Sequence, residues 1–107
     1  MSREEAYLQD IISACRLALE YIKDKTKEEF LNDVQCQDAV IRRLEIIGEA
    51  ARRTPESIRR SIPKVPWKDM VGMRNIVIHE YDGVDLELVW ETLRQDIPLI
   101  LSGLGKG

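Results

Sequence analysis

Arg74, Asn75, His79 and Tyr81 fall within eight consecutive positions of the stretch GMRNIVIHEY, and His79 is the chain's only histidine. An imidazole titrates near neutrality, so it can give or take a proton at physiological pH. A guanidinium offers phosphate a planar fork of donors and stays charged. A side-chain amide can orient either group, and a phenol adds a hydroxyl that can be modified. The four types together suit proton transfer beside a bound phosphate.

The elements that must carry them read as helices. Pro66 suits the first position of a helix running from about Trp67 to about Tyr81, which Gly83 helps to end. Its apolar stripe is Trp67, Met70, Val71, position 74, Val77, Ile78 and position 81, so an arginine and a tyrosine interrupt it. An arginine in such a stripe is costly unless it is paired or opens onto a solvated cleft. Sequences break local rules mostly at functional sites. A second row, Lys68, Gly72, Asn75 and His79, shares one face at spacings of four, three and four. Gly72 leaves a gap in that wall. Plainer roles stay open. His79 could be a satisfied structural residue, Asn75 could bond a neighbouring backbone, and Tyr81 could be a core aromatic with its hydroxyl at the rim. Arg74 could pair with Glu45 or Glu49.

Helical periodicity runs through the rest of the chain. Leu8, Ile11, Ile12, Cys15, Leu19 and Ile22 follow three–four spacing. Thr26 with Glu29 forms a capping-box pattern that opens a short helical turn. Asn32 or Asp33 can cap a second long helix whose stripe is Val40, Ile41, Leu44, Ile47, Gly48 and Ala51, with Gly48 allowing close approach of a neighbour. That helix should stop near Arg53, because Pro55 disfavours helical geometry at Thr54. The connector ESIRRSIPKV carries at most one short helix. Asp85 can cap a last helix with the stripe Leu86, Val89, Trp90, Leu93, Ile97, Ile100 and Leu101, bent or loosened by Pro98. The expected fold is all-α, an up-and-down four-helix bundle with short extra helical turns in its connections, residues 1–107 forming one domain.

Composition narrows the function classes. The 107 residues are 44% hydrophobic and 33% charged, enough for a core without disulfides or metals. Cys15 and Cys36 lie far apart, and with one histidine no metal site and no cofactor are expected. Cys15 reads as a small buried hydrophobe. The start MSREEAYLQD does not look like a signal peptide, and IPLILSGL is too short to span a bilayer, so a cytoplasmic protein is expected. Net charge is −3, but residues 1–41 carry −4, residues 42–74 carry +5 and residues 75–107 carry −4. The basic middle is either a solvated helix face or a phosphate-attracting surface.

Arg74 to Tyr81 matches R-x4-H-x-Y, with a polar residue after the arginine, and so resembles the HEPN superfamily and within it the HepT-like toxins. LEIIGEAA (44–51), PWKDMVGMRN (66–75) and the VD…VW…L…DIP run (84–98) are also similar to that family, so the resemblance covers nearly the whole chain. It implies a bundle of the HEPN type and a metal-independent endoribonuclease, with tRNA a plausible substrate. It implies that Arg74 and His79 are catalytic. It also implies a partner, an MntA-type nucleotidyltransferase antitoxin, that adds AMP to Tyr81.

Metal-free RNA cleavage uses the 2′-hydroxyl as nucleophile. It needs a base, an acid for the leaving 5′-oxygen and a cation for the phosphorane. Asn75 and Lys68 can orient or bind the substrate. One histidine does not easily make both transfers, so a homodimer that joins two copies of the segment in one cleft is expected. The alternatives are a non-enzymatic partner that presents a nucleotide or substrate to a nucleotidyltransferase, and an acidic helical dimerisation module.

Overall fold

The computed structural model describes residues 2–78 and 85–106, the side chains of 74–78 excepted. The described residues are helical with no strand, compatible with the all-α bundle that the periodicity predicts.

The first helix, α1 (Arg3–Tyr21), starts where Ser2 Oγ accepts the Glu5 N–H at 3.1 Å. Two glutamates in its first turn face the positive end of the helix dipole. Ile11, Ile12, Ala14, Cys15 and Ala18 are buried, and Ile22 closes the same stripe. Leu8 and Leu19 pack at its edge, half-buried. The capping box expected at Thr26 is present. Thr26 Oγ1 accepts the Glu29 N–H at 3.1 Å, and Glu29 Oε1 accepts the Thr26 N–H at 2.9 Å. It opens the short helix α2 (Lys27–Leu31), whose Phe30 is fully buried.

Asp33, not Asn32, caps α3 (Val34–Arg53), its Oδ1 accepting the Cys36 N–H at 3.0 Å. Lys25 Nζ sits 3.0 Å from Asp33 Oδ2. The buried face of α3 is Cys36, Gln37, Val40, Leu44, Ile47, Gly48, Ala50 and Ala51. Gln37 is polar in that company, but its Nε2 donates to the Phe30 carbonyl at 3.0 Å and so ties α2 down. Buried Thr54 ends the helix, donating from both its hydroxyl and its N–H to Ala50 O, just before Pro55.

The connector carries the single short helix α4 (Glu56–Ser61). Arg59 binds it back to the end of α3. Its Nε and Nη2 each lie 2.9 Å from a backbone carbonyl, those of Thr54 and Arg52. Pro66 lies one residue before α5 (Trp67–Ile78) rather than inside it. Its carbonyl accepts the Met70 N–H at 3.0 Å, the bond that starts the ladder.

Asp85 Oδ1 accepts the Leu88 N–H at 3.1 Å and caps α6 (Leu86–Glu91). The chain then runs through a π-helical segment, Thr92–Asp96, into α7 (Ile97–Gly103). Pro98 explains the interruption. It has no N–H to give, and its ring would press on the carbonyl four residues back. One wider turn, with Ile97 N–H reaching Thr92 O, moves that carbonyl aside. The loosening expected from Pro98 thus takes a defined form.

Packing joins the long elements in order. α1 lies along α3, α3 along α5, and α7 returns to α1, while α2 meets α6. Phe30 and Trp90 make that last contact, with ring centroids 5.4 Å apart. Among the described residues, four long rods, the fourth interrupted, and two extra short helices surround one shared core.

Candidate active site

The described part of α5 ends at Ile78, so His79, Tyr81 and the expected stop at Gly83 lie outside the described residues. Arg74 and Asn75 are described by their backbone, which is helical. Three features of α5 bear on them.

Its buried face is Trp67, Met70 and Met73, with Val71 half-buried. Buried Met73 lies outside the stripe that runs through position 74. At 100° per residue position 74 lies about 40° from Met70 and about 20° from Trp67. Trp67 shows how polar atoms are handled at that end, since its indole N–H donates to Ile62 O at 3.0 Å.

Lys68, on the second row, is exposed in the first turn of α5. A Cβ built at Gly72 meets no heavy atom of the described residues within 4 Å. Among those residues the gap that the sequence suggested at Gly72 is open space. Asp69, also in the first turn, is exposed. The Asp96 carboxyl is held above the usual carboxylate range by partial burial, with the charge of Asp69 adding to it.

The basic middle of the chain is partly tied up. Arg52 and Arg53 both reach Glu49 Oε1, at 2.6 and 3.1 Å. Arg60 pairs with Glu56 at 2.9 Å. Arg59 holds carbonyls, as described above. Arg42, Lys64 and Lys68 are exposed, and their side chains make no ion pair with another described residue. The solvated-face reading therefore holds for some of these cations, while others brace the α3–α4 junction.

Neither cysteine competes for a catalytic role. Cys15 is fully buried and its thiol is pushed up to about 12 by desolvation. Cys36 is buried with its Sγ 3.6 Å from Tyr21 O, and desolvation raises it too. Such thiols stay protonated and unreactive. Among the described residues no group of three or more His, Cys, Asp or Glu is placed to hold a metal ion. None of the described helices is long and apolar enough to cross a membrane.

Periodicity did not find one further feature. Glu45 and Glu49, considered above as partners for Arg74, line a cleft between α3 and the start of α1. The signal was present as charged residues at 42, 45, 49 and 53, spaced like a helix face opposite the apolar stripe.

Comparison with known proteins agrees with the family resemblance of the sequence. The family described as "Ribonuclease HepT-like" matches residues 11–104. A provisionally assigned RNase of Methanocaldococcus jannaschii is 46% identical over 96 residues, covering 90% of this chain and 88% of that protein. A provisionally assigned ribonuclease HepT of Thermococcus cleftensis is 46% identical over 92 residues, covering 86% and 84%. A similarly assigned RNase of Caldanaerobacter subterraneus is 41% identical over 98 residues, covering 92% and 88%. No solved structure matches the chain. With its helical bundle, its R-x4-H-x-Y segment and a match over most of its length, the chain belongs to the HepT-like ribonuclease family.

Proposed function

We propose that this chain, acting as one domain over residues 1–107, is a cytoplasmic endoribonuclease that cleaves RNA without a metal ion. Arg74 and His79 carry the chemistry. The observation that carries the reading is the R-x4-H-x-Y spacing in the sequence of a HepT-like ribonuclease, which begins in the helix α5. Arg74 binds the scissile phosphate and stabilises charge on the phosphorane. His79 takes the 2′-hydroxyl proton, and its counterpart in a second copy protonates the leaving 5′-oxygen. Asn75 orients phosphate or imidazole, and Lys68 draws the backbone toward the helix. The site is composite, completed in a homodimer. A tRNA is the substrate class we favour.

The enzyme is a toxin whose partner is an MntA-type nucleotidyltransferase antitoxin. AMP added to Tyr81 brings negative charge and bulk into a cleft meant for a phosphate backbone. It competes for Arg74 and blocks the approach to His79. The test is expression without the antitoxin. Wild type should arrest growth, His79→Ala should not, and Tyr81→Phe should stay toxic when a catalytically active antitoxin is present. Equal behaviour of wild type and His79→Ala would leave a docking partner, not a nuclease.

A further inference from the structure

The cleft between α1 and α3 has a volume of about 300 Å³, at the small end of the range for small-molecule pockets. That is room for one flipped-out base and its sugar, and too little for a duplex. Its walls combine three kinds of group. Tyr7 supplies an aromatic face, with Ile46 as apolar floor. Arg42 and Arg53, eleven residues apart on one helix, stand at its ends, about 16 Å from each other along the axis. Asp10 and Glu45 supply carboxylates.

These groups are not consumed by the fold. The side chains of Asp10, Glu45, Arg42 and Tyr7 make no hydrogen bond or ion pair with another described residue. Glu45 is only half-exposed, so it is partly desolvated with no described partner. Arg53 spends its Nε on Glu49 and has further donors to give.

Single-stranded RNA is recognised by stacking unstacked bases on aromatic rings and guanidinium planes while polar groups read the Watson–Crick edge. The polar groups here that could read an edge are carboxylates, which when ionised only accept. Guanine meets a carboxylate with two adjacent donors, N1–H and the 2-amino group. Adenine and cytosine place a ring acceptor beside their amino group, and uracil flanks N3–H with two carbonyls. We propose that the α1–α3 cleft is a subsite for an unpaired guanine of the RNA substrate. Tyr7 stacks on the base, Glu45 or Asp10 accepts from its edge, and Arg42 and Arg53 take the flanking phosphates.

The inference rests on the ribonuclease reading for its ligand class, and mononucleotides separate the two because they cannot be cleaved. Calorimetric titration of the full chain with 5′-GMP, 5′-IMP and 5′-AMP reads the cleft directly. GMP should bind about tenfold or more tightly than IMP, which lacks the 2-amino donor, and than AMP. Glu45→Gln or Asp10→Asn should erase that preference, and Tyr7→Phe should keep it. Tyr7→Ala should weaken all three nucleotides, with circular dichroism confirming the helices. Equal binding of the three nucleotides by wild type overturns the subsite. So does a GMP preference that survives both carboxamide variants. RNA cleavage with no GMP preference sinks the subsite alone, and a GMP preference without RNA cleavage supports the subsite while sinking the nuclease reading.

Discussion

Gly72→Ala separates stability from function on one helix. Gly72 sits inside α5, where glycine costs roughly 0.5–1 kcal/mol relative to alanine through backbone entropy. The added Cβ has no heavy atom of the described residues within 4 Å, so no packing penalty from them offsets the gain. The variant should therefore be more stable by roughly 0.5–1 kcal/mol. For a domain near 100 residues that raises Tm by about 2–5 °C, readable by far-UV circular dichroism. A protein evolved as a plain bundle has no reason to keep the glycine. If the gap instead receives the RNA backbone or a second copy of the helix, the same methyl should slow RNA cleavage, and Gly72→Leu should slow it further. The reasoning is refuted on the stability side if Tm is unchanged or falls. It is refuted on the functional side if Gly72→Leu cleaves RNA at the wild-type rate.

The same substitution at the other end of the fold should have the opposite sign. In Gly103→Ala the Cβ would lie 2.9 Å from Val65 Cγ2 and 3.1 Å from the Lys64 carbonyl oxygen, and the carbonyl has little freedom to move. Denaturant unfolding should show a loss of about 1–3 kcal/mol. Arg59→Ala removes two hydrogen bonds that close the end of α3, and should cost about 1–3 kcal/mol in the same assay. Asp96 has a raised folded-state pKa from burial and the nearby Asp69, so its contribution is favourable below the unfolded carboxylate pKa and lost as pH rises through the folded value. Asp96→Asn should accordingly raise Tm at pH 7, with the gain shrinking as pH falls through the raised folded-state pKa and gone below the unfolded value of about 4. A gain that grows on acidification would contradict that assignment.

Caps and stops were the most legible part of the sequence, because each depends on a few neighbouring residues. Thr26 with Glu29, Asp85 before Leu86, and Pro55 after Thr54 all act locally, and each stands where the spacing put it. Pro98 announced a disturbance but not its kind. Whether a helix kinks, breaks or widens by one residue depends on what the turns before it pack against. Met73 was lost because one apolar stripe was drawn through Arg74, and a helix buried over a wide arc offers more than one such stripe. The α1–α3 cleft was invisible to apolar periodicity, since its walls are charged and come from two helices far apart in sequence. Arginine partners were equally hidden: whether Arg59 meets phosphate or a helix end depends on a fold in space. The segment 74–81 was the reverse case. Its residue types and spacing alone motivate the proposed chemistry.

The most direct test incubates the purified full chain with total cellular RNA in excess chelator, beside Arg74→Ala and His79→Ala. Wild type should cut under those conditions. Loss of the general acid–base group should slow cleavage by about 10²–10⁴-fold, and loss of the guanidinium should also abolish most of the activity. Cleavage that needs added divalent metal, or that proceeds undiminished in both variants, would contradict the assignment of Arg74 and His79 as the reacting pair.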